Sequence, residues 1–139
     1  KFEAGTQNFA STATLKPAIE VANQLNDNKL VENLDSIRDY LLDYFRKDER
    51  IRLYGVPRGT NAEKIPLFSF SVKAVHHEDL ALILDKMGVA VRSGQMCAEP
   101  LMDRFGVTGM LRVSFAPYNT LEEAEYFVKC LNKAIDMLL

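Results

Sequence analysis

The chain has 139 residues, 47% of them hydrophobic, which predicts one domain with a single core and no room for a second catalytic domain. Its 17 basic and 19 acidic residues give a net charge of -2 without a basic run, so neither nucleic acid nor an anionic membrane surface is an expected partner. Two cysteines without a CxxC pair or a Cys/His cluster argue against a disulfide framework or a structural metal site, and favour a reducing compartment.

Targeting signals are absent from the sequence. No stretch is long and apolar enough to span a membrane, and no signal peptide opens the chain, so we expect a cytoplasmic protein. The first residues, Lys1-Phe-Glu-Ala-Gly-Thr6, lack an initiating methionine and read like an internal segment. We therefore expect the chain to be part of a longer protein.

Amphipathic patterns predict two helices near the start of the chain. The first has apolar residues at helical spacing, namely Leu15, Ala18, Ile19, Ala22 and Leu25. Its candidate caps are Ser11, Thr12 and Thr14. Gly5, Thr6 and Asn8 precede the helix and are expected to lie in a loop. After a break at 26–28, the second helix has apolar residues on one face, namely Leu30, Leu34, Ile37, Leu41, Tyr44 and Phe45.

Two alternating runs, 51–54 and 65–72, predict strands that pair with each other. In the second run Phe68, Phe70 and Val72 share one face, as expected for a half-buried strand. The polar loop between the runs contains turn-forming residues, namely Gly55, Pro57, Gly59 and Asn61.

A third helix and two short strands follow. His76-His77-Glu78-Asp79 opens the helix, and Gly88 is its predicted C-terminal cap. The helix has a core face formed by Leu80, Ile83, Leu84 and Met87. The strands are predicted at 89–92 and 111–115, where Arg92 and Arg112 lie off the apolar face.

The last helix begins at a capping box, Thr120-x-x-Glu123, and continues with core periodicity to Leu138. The predicted order is helix, helix, strand, strand, helix, strand, strand, helix. This order indicates an α+β fold with helices packed on one face of a small, mostly antiparallel sheet, whose other face needs water or a partner.

Cys97 is the candidate nucleophile. Gly94 permits a tight turn before it, Pro100 restricts the chain after it, and Arg92 would favour its thiolate. The alternative is a small buried thiol, which is common for free cysteine. Cys130 lies at core spacing on the last helix and is expected to be packing only.

Other candidates carry weaker signals. Arg112 would hold a carboxylate through its planar guanidinium, or else remain solvated or salt-bridged. His76 and His77 are adjacent and point in different directions, so we expect them at a helix start or on the surface rather than at a metal. Gly5 and Thr6 would approach a phosphate, but they lack a Gly-rich context.

Motifs along the chain carry a family resemblance. They are Phe2-Glu-Ala-Gly-Thr6, Val91-Arg-Ser-Gly-x-x-Cys-Ala-x-Pro-Leu-Met102, and Arg112-x-Ser-x-x-x-Tyr-Asn-Thr-x-Glu-Glu123. In this order they resemble the C-terminal part of a cysteine desulfurase, in the sulfur-mobilisation and selenocysteine-lyase-like branch of the class V aminotransferase superfamily.

The resemblance implies an activity and residue roles. Pyridoxal phosphate would bind L-cysteine, and the products would be L-alanine and an enzyme persulfide for iron-sulfur cluster assembly. Cys97 matches the nucleophile, Arg112 the arginine that binds the substrate carboxylate, and Arg92 an arginine that supports the loop or a dimer contact. The motif positions expected to place backbone are Glu3, Gly5, Thr6 and Asn119. A sulfur-acceptor protein and a homodimeric parent are implied partners.

The resemblance also implies a domain arrangement like the small C-terminal domain of fold-type I pyridoxal-phosphate enzymes. Residues 1–28 would form a motif loop and a bridging helix towards a large domain, and 29–139 the small domain. Leu15 and Ile19 on that helix would then be exposed in this chain. The cofactor lysine, its aspartate and the ring-stacking histidine belong to the large domain, so we expect this segment alone to bind no cofactor and to be inactive.

One departure from the family keeps alternatives open. Gln95-Met96 stands where the branch has two histidines, so no imidazole in the motif can accept the thiol proton. Another class V enzyme, such as an epimerase or a different carbon-sulfur or carbon-selenium lyase, is therefore an alternative. A non-catalytic domain that binds a sulfur-carrier protein is the other.

Overall fold

The computed structural model describes residues 5–25, 28–55 and 64–139. Its helices are α1 (Phe9–Ala13), α2 (Leu15–Gln24), α3 (Asn28–Lys47), α4 (His77–Lys86), α5 (Glu99–Phe105) and α6 (Leu121–Leu138). Its strands are β1 (Ile51–Tyr54), β2 (Leu67–Val72), β3 (Arg92–Gly94) and β4 (Met110–Ser114). The predicted roles of Glu3, Pro57, Gly59 and Asn61 fall outside the described residues.

The strands form one four-stranded sheet in the order β1-β2-β4-β3, and every pairing is antiparallel. The predicted α+β fold and the pairing of the first two strands are therefore confirmed. Because side chains alternate along each strand, the register assigns every residue to one of two faces.

One face of the sheet carries the core. Phe68, Phe70, Leu111 and Val113 point to this face and are almost completely buried. They pack against buried side chains of three helices. These are Ile37, Leu41, Leu42 and Phe45 from α3, Leu80 and Leu84 from α4, and Ala124, Phe127, Cys130, Leu131, Ala134 and Ile135 from α6. Burying a large apolar side chain contributes about 1.5–3 kcal/mol, so this face dominates stability.

The first helical segments lie outside this core. Helices α1 and α2 contain no buried residue, and the expected exposure of Leu15 and Ile19 is confirmed at 58% and 51%. Of the candidate caps, Thr14 occupies the N-cap position of α2, although its side chain makes no cap bond. Ser11 and Thr12 lie within α1, which Asn8 caps by accepting from Ser11 N–H. No described helix is long and apolar enough to cross a membrane.

The segment before the cysteine differs from the prediction. Helix α4 is closed by Gly88 at φ 77°, two residues after its last residue. Gly88 N–H donates to Asp85 C=O, and Val89 N–H donates to Leu84 C=O. This Schellman arrangement uses the backbone of Val89 to close the helix. The strand predicted at 89–92 therefore begins later, at Arg92, and ends at Gly94.

Helix α5 was not predicted. It is 7 residues long, which gives too few turns for apolar periodicity to stand out from a loop pattern. Its C-terminal residue is followed by Gly106 in the left-handed conformation, at φ 68°. Met102 is its buried residue, and it faces the side of the sheet opposite the main core. That second face is thus partly covered.

Candidate functional site

A row of polar and aromatic side chains crosses the sheet on the face opposite the core. In the register, Tyr54 pairs with Ser69, Ser69 with Arg112, and Arg112 with Arg92. Directly paired residues of an antiparallel sheet project to the same side. Arg92 and Arg112 therefore share the face opposite the core, as the strand alternation predicts.

Cys97 lies on a tight turn immediately after β3. Met96 and Cys97 have φ values of 56° and 59°, and Ala98 N–H donates to Gln95 C=O across the turn at 3.0 Å. Positive φ at both central positions is usual for Gly, Asn or Asp, and it costs other residues roughly 1–2 kcal/mol each. The side chain of Cys97 is exposed, so its interpretation as a buried thiol is wrong.

Cys130 provides the contrast. It lies on α6, is 5% exposed and belongs to the main core cluster. Its predicted packing role is confirmed. Of the two cysteines, Cys97 alone presents its sulfur to solvent.

Arg112 is half-buried, and its Nε is buried without a hydrogen-bond partner in the part of the chain that the structure describes. No carboxylate among the described residues forms an ion pair with it, so the alternative of a salt-bridged arginine finds no support in this part of the chain. An unpaired buried N–H of a cation costs free energy, which an incoming anion would recover. The surroundings of Arg112 suit a carboxylate ligand.

A small apolar cluster, which we call the outer cluster, lies on the same face of the sheet. Its buried members are Tyr54, Met102 and Met110, and its partly buried members are Met96, Phe105 and Val107. The Tyr54 ring is 5.0 Å from the ring of Phe105, and a hydrogen bond of 2.9 Å joins Tyr54 Oη to Ser71 Oγ. The outer cluster fixes α5 and the cysteine turn to β1 and β4.

The two histidines have different environments. His76 caps α4 by accepting from Glu78 N–H at 3.4 Å, which confirms its place at the helix start. His77 is the first residue of α4, which confirms its place at the helix start, but it is 9% exposed and so does not lie on the surface. Its Nδ1 forms a 3.0 Å hydrogen bond with Ser93 Oγ in β3.

Gly109 explains how His77 reaches the sheet. A Cβ at position 109 would lie 2.8 Å from Cε1 of His77, which is too close for any other residue without movement. Burial, and then the neighbouring His76, lower the pKa of His77, while Glu78 and Asp79 oppose this. Through its hydrogen bond to Ser93, the His77 ring supports β3 from the core side of the sheet. The glycine just before β4 was the sequence signal for this contact.

The remaining motif residues hold backbone or stay exposed. Asn119 Oδ1 accepts from Ala116 N–H at 2.7 Å, and its Nδ2 donates to Glu123 at 2.9 Å. Gly5 and Thr6 are exposed, and Gly5 has φ 82°. In the described residues no three His, Cys, Asp or Glu side chains form a group able to hold a metal ion.

The comparisons with known proteins agree with one another. Residues 1–127 match the aminotransferase class-V family. A probable cysteine desulfurase of Vibrio cholerae is 38% identical over 138 residues, which are 99% of this chain and 33% of that protein. The cysteine desulfurase CsdA of Escherichia coli is 34% identical over 139 residues, which are 100% of this chain and 33% of that protein.

The fold agrees with a solved structure of the same kind. The crystal structure of Escherichia coli CsdA in an S-sulfonic acid form has a TM-score of 0.84 and 33% identity, over 99% of this chain and 33% of that chain. The chain thus spans about a third of the length of these relatives. Since the family match covers most of its residues, the chain belongs to the aminotransferase class-V family.

Proposed function

We propose that this chain supplies the sulfur-accepting cysteine and the carboxylate-binding arginine of a cysteine desulfurase. The observation that carries the proposal is the combination of two features: an exposed thiol on a strained turn that packs into the outer cluster through Met96, and an arginine nitrogen that is buried and unpaired among the described residues. The register supports this arrangement, because the strand that leads to Cys97 pairs with the strand of Arg112. Two relatives, 38% and 34% identical to this chain, are named probable cysteine desulfurase and cysteine desulfurase CsdA.

The proposed sulfur transfer balances in atoms and electrons, but this chain alone does not activate the substrate carbon. Pyridoxal phosphate bound elsewhere in the longer protein would supply the electron sink that lets carbon keep the bonding pair. Arg112 binds the carboxylate of L-cysteine by charge-assisted hydrogen bonds, which orients the substrate. The Cys97 thiolate attacks the substrate sulfur, so that an S–S bond forms and the substrate C–S bond breaks. The electron pair of the broken bond stays with carbon and takes a proton. L-cysteine and the Cys97 thiol thereby become L-alanine and a Cys97 persulfide.

The family implies pyridoxal phosphate, whose usual anchor is a lysine in a closed pocket. Apart from Lys64, the lysines in the described ranges are exposed. Lys64 has its Nζ 5.4 Å from the centre of the Phe68 ring, which belongs to the core face of the sheet rather than the face of Arg112. These residues do not fit the cofactor, so we assign its binding to another part of the longer protein.

Further roles follow from the same proposal. Arg92 is exposed on the strand before the cysteine turn, where it supports that turn or contacts a second subunit. The exposed thiol would pass its sulfur to an acceptor protein that serves iron-sulfur cluster assembly in the cytoplasm. Residues 1–28 would bridge to the cofactor domain, since α1 and α2 bury nothing in the described fold.

The test uses the full-length protein. Cys97→Ser should abolish persulfide and sulfide formation from L-cysteine, while Cys130→Ala, which also removes one thiol, should retain persulfide formation. Arg112→Ala should raise KM by at least about tenfold, because loss of a charged hydrogen bond costs roughly 1.5–3 kcal/mol. Wild-type sulfide release by Cys97→Ser would exclude Cys97 as the sulfur acceptor.

A second candidate is a class V enzyme whose cysteine is not essential. The cysteine turn supports it, because Met96 is packed in the outer cluster and Gln95 contacts Glu99 at 3.5 Å, so neither residue is a base for the thiol. Such an enzyme would act on another amino acid. Cys97→Ser should then keep its turnover of that amino acid, with alanine, serine, selenocysteine and cystine as the substrates to compare.

A further inference from the structure

We propose that Met96 is a positioning residue, whose side chain ties the cysteine turn to the outer cluster and so sets the place of Cys97 relative to Arg112. The proposal rests on the function proposed for those two residues. Met96 itself touches no reacting atom. Its side chain instead connects the strained turn to β4, the strand that contains Arg112.

The turn needs support from outside its own backbone. Met96 and Cys97 both have positive φ, although neither residue type favours it. Such conformations persist where the surrounding structure enforces them. Within the turn one backbone bond, from Ala98 N–H to Gln95 C=O, closes the loop.

Side-chain burial identifies the support. The side chains of Gln95 and Cys97 are exposed, whereas that of Met96 is partly buried against the outer cluster. Tyr54 anchors this cluster through Ser71 and Phe105. Of the two central residues of the turn, Met96 is therefore the one whose side chain packs on the rest of the fold.

The outer cluster also connects the turn to the arginine. Met110 is one of its buried members and lies two residues before Arg112 on the same face of β4. A displacement of Met96 from the cluster would move Cys97 relative to the substrate held by Arg112. Misplacing a reacting group by about 1 Å costs up to roughly a hundredfold in rate.

This role explains why an apolar residue occupies position 96, where the family resemblance suggested a histidine. An unbranched thioether fills an irregular space and provides no proton acceptor. Met96 thus contributes to the position of the thiol and not to its deprotonation. Another apolar side chain of similar length should replace it, and a polar residue that prefers positive φ should not.

The experiment compares Met96→Leu with Met96→Asn in the full-length protein. Leucine keeps the apolar contact, whereas asparagine favours the turn backbone but removes that contact. We expect Met96→Asn to lower kcat for L-cysteine on the order of tenfold and to change KM less than about twofold, because Arg112 still binds the carboxylate. Met96→Leu should keep kcat close to the wild-type value. Gln95→Ala, which changes the exposed side of the turn, should also have wild-type kcat and KM.

A measurement without turnover separates this proposal from the proposed function. Hydrogen exchange at the Ala98 amide should speed up in Met96→Ala and Met96→Asn, while the amides of α6 keep their protection. If Met96→Asn changes neither hydrogen exchange at the Ala98 amide nor the rate of Cys97 alkylation, Met96 does not position the turn. This conclusion would hold whatever the activity of Cys97→Ser. Equal losses in Met96→Leu and Met96→Asn would also overturn it, because the sulfur rather than the apolar contact would then matter.

Discussion

Arg112 differs from the arginines that hold the fold together. Arg50 is paired within the chain, with Nη2 2.7 Å from Asp48 and Nη1 3.0 Å from Asp136. Arg112 has a buried Nε for which no described residue provides a hydrogen-bond partner. The alternation of its strand predicted which face Arg112 occupies. It could not predict whether a carboxylate elsewhere in the chain reaches it, because that depends on contacts between distant residues.

Replacing Arg112 by lysine tests whether shape matters as well as charge. Lysine keeps the positive charge but offers a point-like ammonium in place of the planar fork that matches a carboxylate. We expect Arg112→Lys to raise KM for L-cysteine about tenfold, equivalent to about 1.4 kcal/mol, with a smaller change in kcat. Steady-state kinetics of the full-length protein measure this.

The matched control for that variant is Arg50→Lys, since Arg50 has its partners inside the fold. It should leave KM unchanged. If Arg112→Lys binds L-cysteine as well as wild type does, the bidentate carboxylate contact is wrong, and a diffuse positive charge would be sufficient at this position.

At the level of secondary structure, local signals predicted the long helices better than the short elements β3 and α5. The capping box of α6 is present as expected, with Thr120 Oγ1 accepting from Glu123 N–H at 3.3 Å and Glu123 Oε2 accepting from Thr120 N–H at 3.0 Å. Such a cap involves neighbouring residues only. By contrast, β3 depends on pairing with β4, and α5 depends on Met102 reaching the outer cluster. Neither contact is visible in a local pattern.

Thr120→Ala tests the cap as a stabilising element. It removes the hydrogen bond to Glu123 N–H at the start of the helix that supplies much of the core, so the free energy of unfolding should fall by about 1 kcal/mol. Asn119 and the backbone of Thr120 both lower the pKa of Glu123, and this carboxylate would retain part of the cap. Urea unfolding at neutral pH measures the loss.

Thr14→Ala is the control for the cap variant. Thr14 occupies the N-cap position of α2 but makes no side-chain cap bond, and its helix buries nothing in the described residues. Its substitution should change the unfolding free energy by no more than a few tenths of a kcal/mol. Equal effects of the two substitutions would contradict the capping role of Thr120.

The whole molecule has two unequal layers around its sheet. Helices α3, α4 and α6 form a thick apolar layer, and α5 with the outer cluster forms a thin layer beside the candidate site. The sequence predicted the thick layer, because its helices repeat apolar residues over many turns. It did not predict the thin layer or the burial of His77, since both combine residues from separate elements. His77 links the thick layer to the sheet, as it begins α4 and contacts Ser93 in β3.

This link predicts how stability depends on pH. The pKa of His77 is lowered in the folded state, chiefly by burial, whereas in the unfolded chain it is about 6.5. Below that pH the unfolded state binds more protons, so the free energy of unfolding falls as the pH falls towards the folded-state pKa. The contribution of His77 is fully present above about pH 6.5, where both states are neutral.

The measurement is urea unfolding between pH 5 and pH 8, for wild type and His77→Asn. Asparagine does not titrate, and its short amide can still reach Ser93, so the variant should lose less free energy than wild type as the pH falls through this range. Carboxylates contribute to both proteins alike, and their effect cancels in the difference. Parallel curves would mean that His77 is not the group that couples protonation to unfolding, and the link between α4 and β3 would then stand on its hydrogen bond alone.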